Sequence, residues 1–165
     1  MENKQIYYTD EYHLIKSHYR NNKTLRSGVK LMNHIDEGLD IMIKRKASLQ
    51  AMKAYCLHPL LQSDEDFNKN YYFKSIHDCC TIAVILAVEY RRVANSYLST
   101  MSVKDFVGFT NKDIFEMLVA DKIQNEKDFS KYHEGTHKRS NELREYFINW
   151  FNLISIYQQF LDKNN

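Results

Sequence analysis

Apolar side chains recur at spacings of three and four residues in several stretches of the chain. In residues 10–19, Tyr12, Ile15 and Tyr19 fall on one face of a helix. The same spacing, or a long apolar run, predicts further helices over residues 31–44, 48–57, 71–98, 111–124 and 140–161. No stretch alternates long enough for a strand. The pattern therefore predicts an all-α fold of about six helices, a single domain over residues 1–165 with its core in 10–161.

Particular residues refine the predicted helices. Pro59 should end the third helix, because proline lacks a backbone N–H and disfavours helix before it. Asn111 should cap the helix over 111–124, and the polar stretch 126–136 should be a loop. The helix over 71–98 is apolar nearly all round in its middle, which predicts the central buried helix. We expect Phe147 and Trp150, a turn apart, to be buried against it.

Composition narrows the class of protein. Only four glycines and one proline are present, which argues against an all-β fold with many tight turns. The net charge of +2 is too balanced for a protein that coats nucleic acid. No apolar run suits a membrane span, and the first residues lack the pattern of a signal peptide. We expect a cytoplasmic protein; its wealth of Lys, Asn, Ile and Tyr is typical of AT-rich genomes, such as those of some phages.

Three histidines differ from the rest because each lies in or beside a predicted buried helix: His34, His58 and His77. His34 follows the segment RSGVKLMN, and His58 ends the apolar run AYCLH. Further along the chain, Asp121 lies in the segment LVADKIQN. The three cysteines include no CxxC pair and are interpreted as small buried residues.

The order and spacing of these segments resemble the HD-domain hydrolases of the RelA/SpoT alarmone type, including their small stand-alone relatives. The family pattern RSGxPYxxHP, ALLHDxxED, KLADxxxN runs through the chain in the same order. The matching positions are Arg26, Ser27, Gly28, His34, His58, Ala120, Asp121 and Asn125. The stretch 143–150 also looks like the family's helix after the aspartate, so the resemblance covers about residues 10–161.

The resemblance implies a metal-dependent phosphohydrolase. His34, His58 and Asp121 would hold a divalent cation, commonly manganese in this branch, and the substrate would be a pyrophosphorylated nucleotide such as guanosine tetraphosphate. If it holds, the three side chains converge within a few ångströms of one another. The residues expected to bind the nucleotide are Arg26, Ser27, Lys30, Lys122, Asn125 and Tyr146.

The chain departs from the family at the HD dyad. Pro59 stands where the family has its aspartate, and Gln62 and Ser63 stand where it has its Glu-Asp pair. Two hypotheses stay open. In one, the following carboxylates replace the missing ones and serve as the catalytic group; they are Asp64, Glu65 and Asp66. In the other, the site is catalytically degenerate and the chain is a nucleotide-binding sponge or regulator.

Other polar residues have weaker claims. His77-Asp78 is a literal HD pair, but its interval of 19 positions from His58 is short for such a site. Glu89 and Arg92 interrupt an apolar helix, either as a surface ion pair or near the site. The remaining histidines are interpreted as surface residues: His13, His18, His133 and His137.

Overall fold

The computed structural model describes residues 2–25, 27–70, 74–100 and 111–164. In this part of the chain a 3₁₀ helix, Glu2–Tyr8, is followed by eight α-helices. They are α1 Asp10–Tyr19, α2 Met32–Lys44, α3 Leu49–Leu61, α4 Asp64–Asn70, α5 Lys74–His77, α6 Thr81–Thr100, α7 Lys112–Tyr132 and α8 Ser140–Asn164. The β-pairing found among the described residues is one bridge between Lys23 and Lys30. The predicted all-α fold is confirmed.

Side-chain caps explain where several helices begin. Thr9 accepts a hydrogen bond from the backbone N–H of Tyr12 at the start of α1, over a donor–acceptor distance of 3.4 Å. Ser48 accepts one from Ala51 at 3.0 Å and so caps α3. Asn111 accepts one from the N–H of Asp113 at 2.8 Å, as its predicted capping role requires. Each cap satisfies a backbone donor that has no partner inside its helix.

Two helices are longer than predicted. The expectation that Pro59 ends the third helix is wrong, since α3 continues through it to Leu61. The missing N–H removes one helical hydrogen bond, and this helix tolerates the loss. The predicted loop over 126–136 is wrong in its first half, because α7 extends to Tyr132. The ring of Phe129 packs against Phe147 of α8, with 5.5 Å between the ring centroids, which favours the additional turns.

The central helix is α3 rather than the predicted helix over 71–98. Most side chains of α3 are buried, from Ala51 to Leu61. Residues 71–73 lie outside the described part, and the helix that follows α5 begins only at Thr81. That helix, α6, exposes Ile82 and Ile85 by 54% and 62%, so the core covers only one of its faces. Within the described residues, no helix has both the length and the apolar sequence that a membrane span requires.

Helices α2 and α3 approach closely where Gly38 faces Tyr55. A Cβ atom at Gly38 would overlap the phenol ring of Tyr55. Glycine in a helix interior lowers helix stability by about 1 kcal/mol relative to alanine. At position 38 the close approach of Tyr55 leaves no room for a larger side chain. The contact fixes the separation of the two helices that carry His34 and His58.

Helix α8 closes the core on the side of α7. Trp150 is fully buried and Phe147 nearly so, as the spacing predicts. Both side chains contact α7. The ring of Phe147 packs against Phe129, and the ring of Trp150 lies 5.2 Å from Nζ of Lys122. The predicted burial is therefore confirmed, and the partner that these contacts identify is α7.

Candidate metal centre

Three side chains from three helices converge in the interior. His34 lies near the start of α2, His58 in the last turns of α3 and Asp121 in the middle of α7. The two Nε2 atoms are 3.2 Å apart. Oδ1 of Asp121 lies 3.5 Å from Nε2 of His34 and 3.9 Å from Nε2 of His58. Among the described residues, these three form a group whose ligand atoms could hold one metal ion.

The triangle of ligand atoms has the dimensions of a metal site. The point equidistant from the three atoms, in their plane, is about 2.1 Å from each. Bonds from zinc and similar ions to imidazole nitrogen and carboxylate oxygen are about 2.0–2.2 Å long. An ion could therefore sit between the three side chains without any of them moving far.

A backbone hydrogen bond orients His58. Its Nδ1 donates to the carbonyl oxygen of Tyr55, at a distance of 2.6 Å. Pro59 has no N–H with which to occupy that carbonyl in the usual helical bond, so the oxygen remains available to the imidazole. Because Nδ1 carries the hydrogen, Nε2 carries the lone pair and points at His34 and Asp121. Backbone carbonyls hold the histidine ligands of metal sites in this way.

A side-chain hydrogen bond orients His34 in the same sense. Its Nδ1 lies 2.5 Å from Oε1 of Gln124. An amide oxygen can only accept, so Nδ1 of His34 donates, and in the neutral ring Nε2 is again the atom with a lone pair. Two imidazole lone pairs and one carboxylate oxygen thus face a common point. A cation at that point would be attracted by all three.

The carboxylate of Asp121 is ionised and fully engaged. Its Oδ2 accepts a hydrogen bond from Nζ of Lys122 and its Oδ1 accepts one from Nδ2 of Asn125, both at 2.8 Å. Burial alone would raise the pKa of Asp121, but the ammonium group of Lys122, together with the two nearby histidines, outweighs it and holds the pKa below its usual range. The carboxylate therefore keeps its negative charge in the interior.

The charges of the neighbouring groups follow from the same balance. Burial, together with the nearby His34, lowers the pKa of His58 to about 4, so its ring is neutral near pH 7. Burial would also lower the pKa of Lys122, but the adjacent Asp121 reverses the effect and raises it. Neutral imidazole and an ionised carboxylate are the forms that bind metal ions.

The three side chains lie in the wall of a cavity with a volume of about 690 Å³. Ligand pockets for small molecules have volumes of roughly 300–1,000 Å³. Of the six residues expected to bind a nucleotide, five line this cavity: Ser27, Lys30, Lys122, Asn125 and Tyr146. The sixth, Arg26, lies outside the described residues. These five residues, which come from the loop before α2, from α7 and from α8, therefore line the same cavity as the candidate metal ligands.

The loop that precedes α2 supplies one side of the cavity. The bridge between Lys23 and Lys30 closes this loop, and the backbone N–H of Thr24 donates to the carbonyl of Val29 at 2.8 Å. Gly28 has a φ of +67°, a conformation that other residues adopt only with strain. The hydroxyls of Thr24 and Ser27 are hydrogen-bonded to each other. The loop therefore holds Ser27 at the cavity wall.

The carboxylates after Gln62 are not brought to this site. The side chain of Asp64 is 90% exposed and forms an ion pair with Arg91. Asp66 accepts a hydrogen bond from the hydroxyl of Ser63 at 2.6 Å, close to the start of α4. Neither of these residues nor Glu65 lines the cavity.

The weaker candidates also lie apart from the three ligands. His77 and Asp78 are exposed beside the end of α5. Glu89 and Arg92 form an ion pair one turn apart at the surface of α6, as the alternative to a site role predicts. One interpretation needs correction: His133, expected at the surface, lines the cavity with the last turn of α7.

Sequence reasoning missed three residues of the site. Tyr90 lines the cavity, and burial together with the nearby carboxylate of Asp121 raises the pKa of its hydroxyl. Gln124 and Asp128 follow Asp121 at helical spacing and line the same cavity. That spacing was the available signal, because positions three, four and seven residues after Asp121 share its face of a helix.

Known proteins were compared with the chain by sequence and by structure. The chain matches no protein-family model, no curated protein and no solved structure. The account of the site therefore depends on its geometry and on the sequence pattern.

Proposed function

We propose that this chain is a metal-dependent phosphohydrolase that acts on a nucleotide. The observation that supports the proposal best is the cluster of His34, His58 and Asp121 in the wall of a cavity of nucleotide size. Catalytic metal sites commonly use three protein ligands and keep a further position for water or substrate. A cluster of three ligands beside an open cavity has this form.

Mixed imidazole and carboxylate ligands fit a divalent first-row ion such as Mn²⁺. When bound, such an ion supplies an acidified water and screens the charge of a phosphate under attack. Residues of the chain itself orient the three ligands. Tyr55 and Gln124 aim the two imidazoles, and Asn125 and Lys122 hold the carboxylate of Asp121.

The cavity also supplies groups for a phosphorylated ligand. Lys30 and Lys122 bring positive charge to its wall, and the hydroxyl of Ser27 and the amide of Asn125 can hydrogen-bond a phosphate or a sugar. Tyr146 adds an aromatic surface. Together with the resemblance to RelA/SpoT-type HD hydrolases, these groups favour a pyrophosphorylated nucleotide, of which guanosine tetraphosphate is the first to test. The proposal assigns no step to Asp64, Glu65 or Asp66.

Three observations favour a second function, a nucleotide-binding protein without catalysis. Nζ of Lys122 already lies 2.8 Å from Oδ2 of Asp121 and offsets part of its charge. In addition, among the described residues no fourth histidine, cysteine or carboxylate joins the cluster. Pro59, in place of the family's aspartate, lies in the cavity wall. Such a protein would keep the pocket and the charge of Lys122 without activating water.

An assay with guanosine tetraphosphate and related nucleotides separates the two functions. The chain is incubated with each nucleotide, with Mn²⁺ or with a chelator, and both pyrophosphate release and nucleotide binding are measured. We expect release that requires Mn²⁺ and is absent with the chelator. Tight binding without release, unchanged by the chelator, would replace the hydrolase by the binding protein. Neither release nor binding with any nucleotide would reject both.

A further inference from the structure

Gln124 is a buried amide with a hydrogen-bond partner on each side. It is 2% exposed, and it lies three residues after Asp121 on α7. Its Oε1 lies 2.5 Å from Nδ1 of His34. Its Nε2 donates to Oδ2 of Asp128 at 2.7 Å and to Oε2 of Glu37 at 3.3 Å.

The two carboxylates determine which way the amide points. With the amide turned over, its oxygen would face the oxygens of Glu37 and Asp128, and three acceptors would repel one another. The NH₂ group must therefore face the carboxylates and the oxygen must face His34. Since that oxygen can only accept, Nδ1 of His34 keeps its hydrogen, and in the neutral ring the lone pair is on Nε2.

The same helices supply the ligands and this arrangement. Glu37 lies three residues after His34 on α2, and Asp128 lies four residues after Gln124 on α7. Lys127 forms ion pairs with both carboxylates, which holds them beside the amide. A change in the spacing of α2 and α7 would alter the amide contacts and the direction of the imidazole together.

We propose that Gln124 is a positioning residue, clamped by Glu37 and Asp128, which fixes the Nδ1–H tautomer of His34 and so aims its Nε2 at the metal. The inference depends on the metal centre of the proposed function but not on hydrolysis. Outer groups that orient histidine ligands commonly change metal affinity by about 10–100-fold when they are removed.

The tautomer can be measured directly in the metal-free chain. Nitrogen-15 NMR of the histidine rings at mildly alkaline pH distinguishes a protonated Nδ1 from a protonated Nε2. We expect His34 to carry its hydrogen on Nδ1 in the wild type. In Gln124→Leu the amide is lost, so we expect a mixture of tautomers and a Mn²⁺ affinity about 10–100-fold lower by calorimetry.

Two variants make this test specific. In Gln124→Glu/Asp128→Asn the net charge is conserved, an acceptor oxygen again faces His34 and the amide donates from position 128. We expect this double variant to recover the Nδ1–H tautomer and most of the affinity. Gln50→Leu is the matched control, because Gln50 does not line the cavity, and it should behave as the wild type.

Four results would overturn the inference. They are an Nε2–H tautomer of His34 in the wild type, an unchanged tautomer in Gln124→Leu, an unchanged Mn²⁺ affinity in that variant, and failure of the double variant to recover either property. If Gln124→Leu does not fold, the double variant decides alone. Loss of hydrolysis with the tautomer and affinities as expected would reject the proposed activity and leave the positioning role standing. A wild type that binds no Mn²⁺ would reject both.

Discussion

Replacing Asp121 by asparagine is expected to lower the affinity for Mn²⁺ by more than about 100-fold and to reduce the proposed hydrolysis by orders of magnitude. The substitution preserves the size of the side chain but removes the charge that faces the two histidines. Asn125 and Lys122 would then hold a neutral amide. Calorimetric titration with Mn²⁺ measures the first effect, and pyrophosphate release measures the second.

Asp121→Asn should also affect the stability of the chain, because Lys122 would lose its ionic partner. Lys122 is 4% exposed, and its ammonium group forms an ion pair with Asp121. Removing one partner of a buried pair leaves an uncompensated charge and costs about 3–5 kcal/mol. Asp121→Asn should therefore also lower the free energy of unfolding. In Asp121→Asn/Lys122→Met the stability should largely return, whereas metal binding should not.

The matched control for this prediction is Asp162→Asn. Asp162 is exposed on α8, does not line the cavity and accepts a hydrogen bond from Gln158. The control should retain the metal affinity, the hydrolysis and the stability of the wild type. Undiminished Mn²⁺ binding in Asp121→Asn would contradict the assignment of Asp121 as a ligand. Restored metal binding in the double variant would contradict it as well.

Replacing Trp150 by alanine should cost about 3–5 kcal/mol of folding free energy, because the largest side chain of the core would be removed. Trp150 is fully buried. Its ring packs near Tyr146, with 6.4 Å between centroids, and beneath the ammonium group of Lys122. The loss is a large part of the stability of a small domain, so unfolding at much lower urea concentration is expected.

A second substitution in the same helix provides the control for Trp150. Ile156 also lies on α8 but is 65% exposed, so Ile156→Ala should change the stability by no more than about 0.5 kcal/mol. Urea denaturation followed by circular dichroism measures both variants. A cost below about 1 kcal/mol for Trp150→Ala would show that Trp150 does not anchor α8 as described.

Helix periodicity predicted the fold well where a helix has one buried face and a clear cap. The first helix was predicted with the bounds of α1, and Asn111 was predicted as a cap. The prediction failed where tertiary packing outweighed a local signal. Pro59 lies inside α3 because the buried sequence around it favours continuing the helix. The apolar run of α6 was taken for the central helix, although Ile82 and Ile85 face outward.

The candidate site was predictable where it follows motifs and not where it depends on packing. The resemblance to the HD-domain pattern predicted that His34, His58 and Asp121 would converge, and their ligand atoms do lie together. The amide of Gln124 meets His34 across 90 positions of sequence, a contact that no local pattern encodes. Conversely, Asp64 follows the motif closely in sequence but turns to the surface with α4.

Anomalous diffraction from crystals of the whole chain grown with Mn²⁺ tests the central claim most directly. The account predicts a strong peak between the three side chains, about 2.1 Å from Nε2 of His34, Nε2 of His58 and Oδ1 of Asp121. Further coordination should come from water on the side of the cavity. A crystal that binds Mn²⁺ only elsewhere, for example at Asp64 or Asp66, or that shows no peak between the histidines at saturating Mn²⁺, would contradict it.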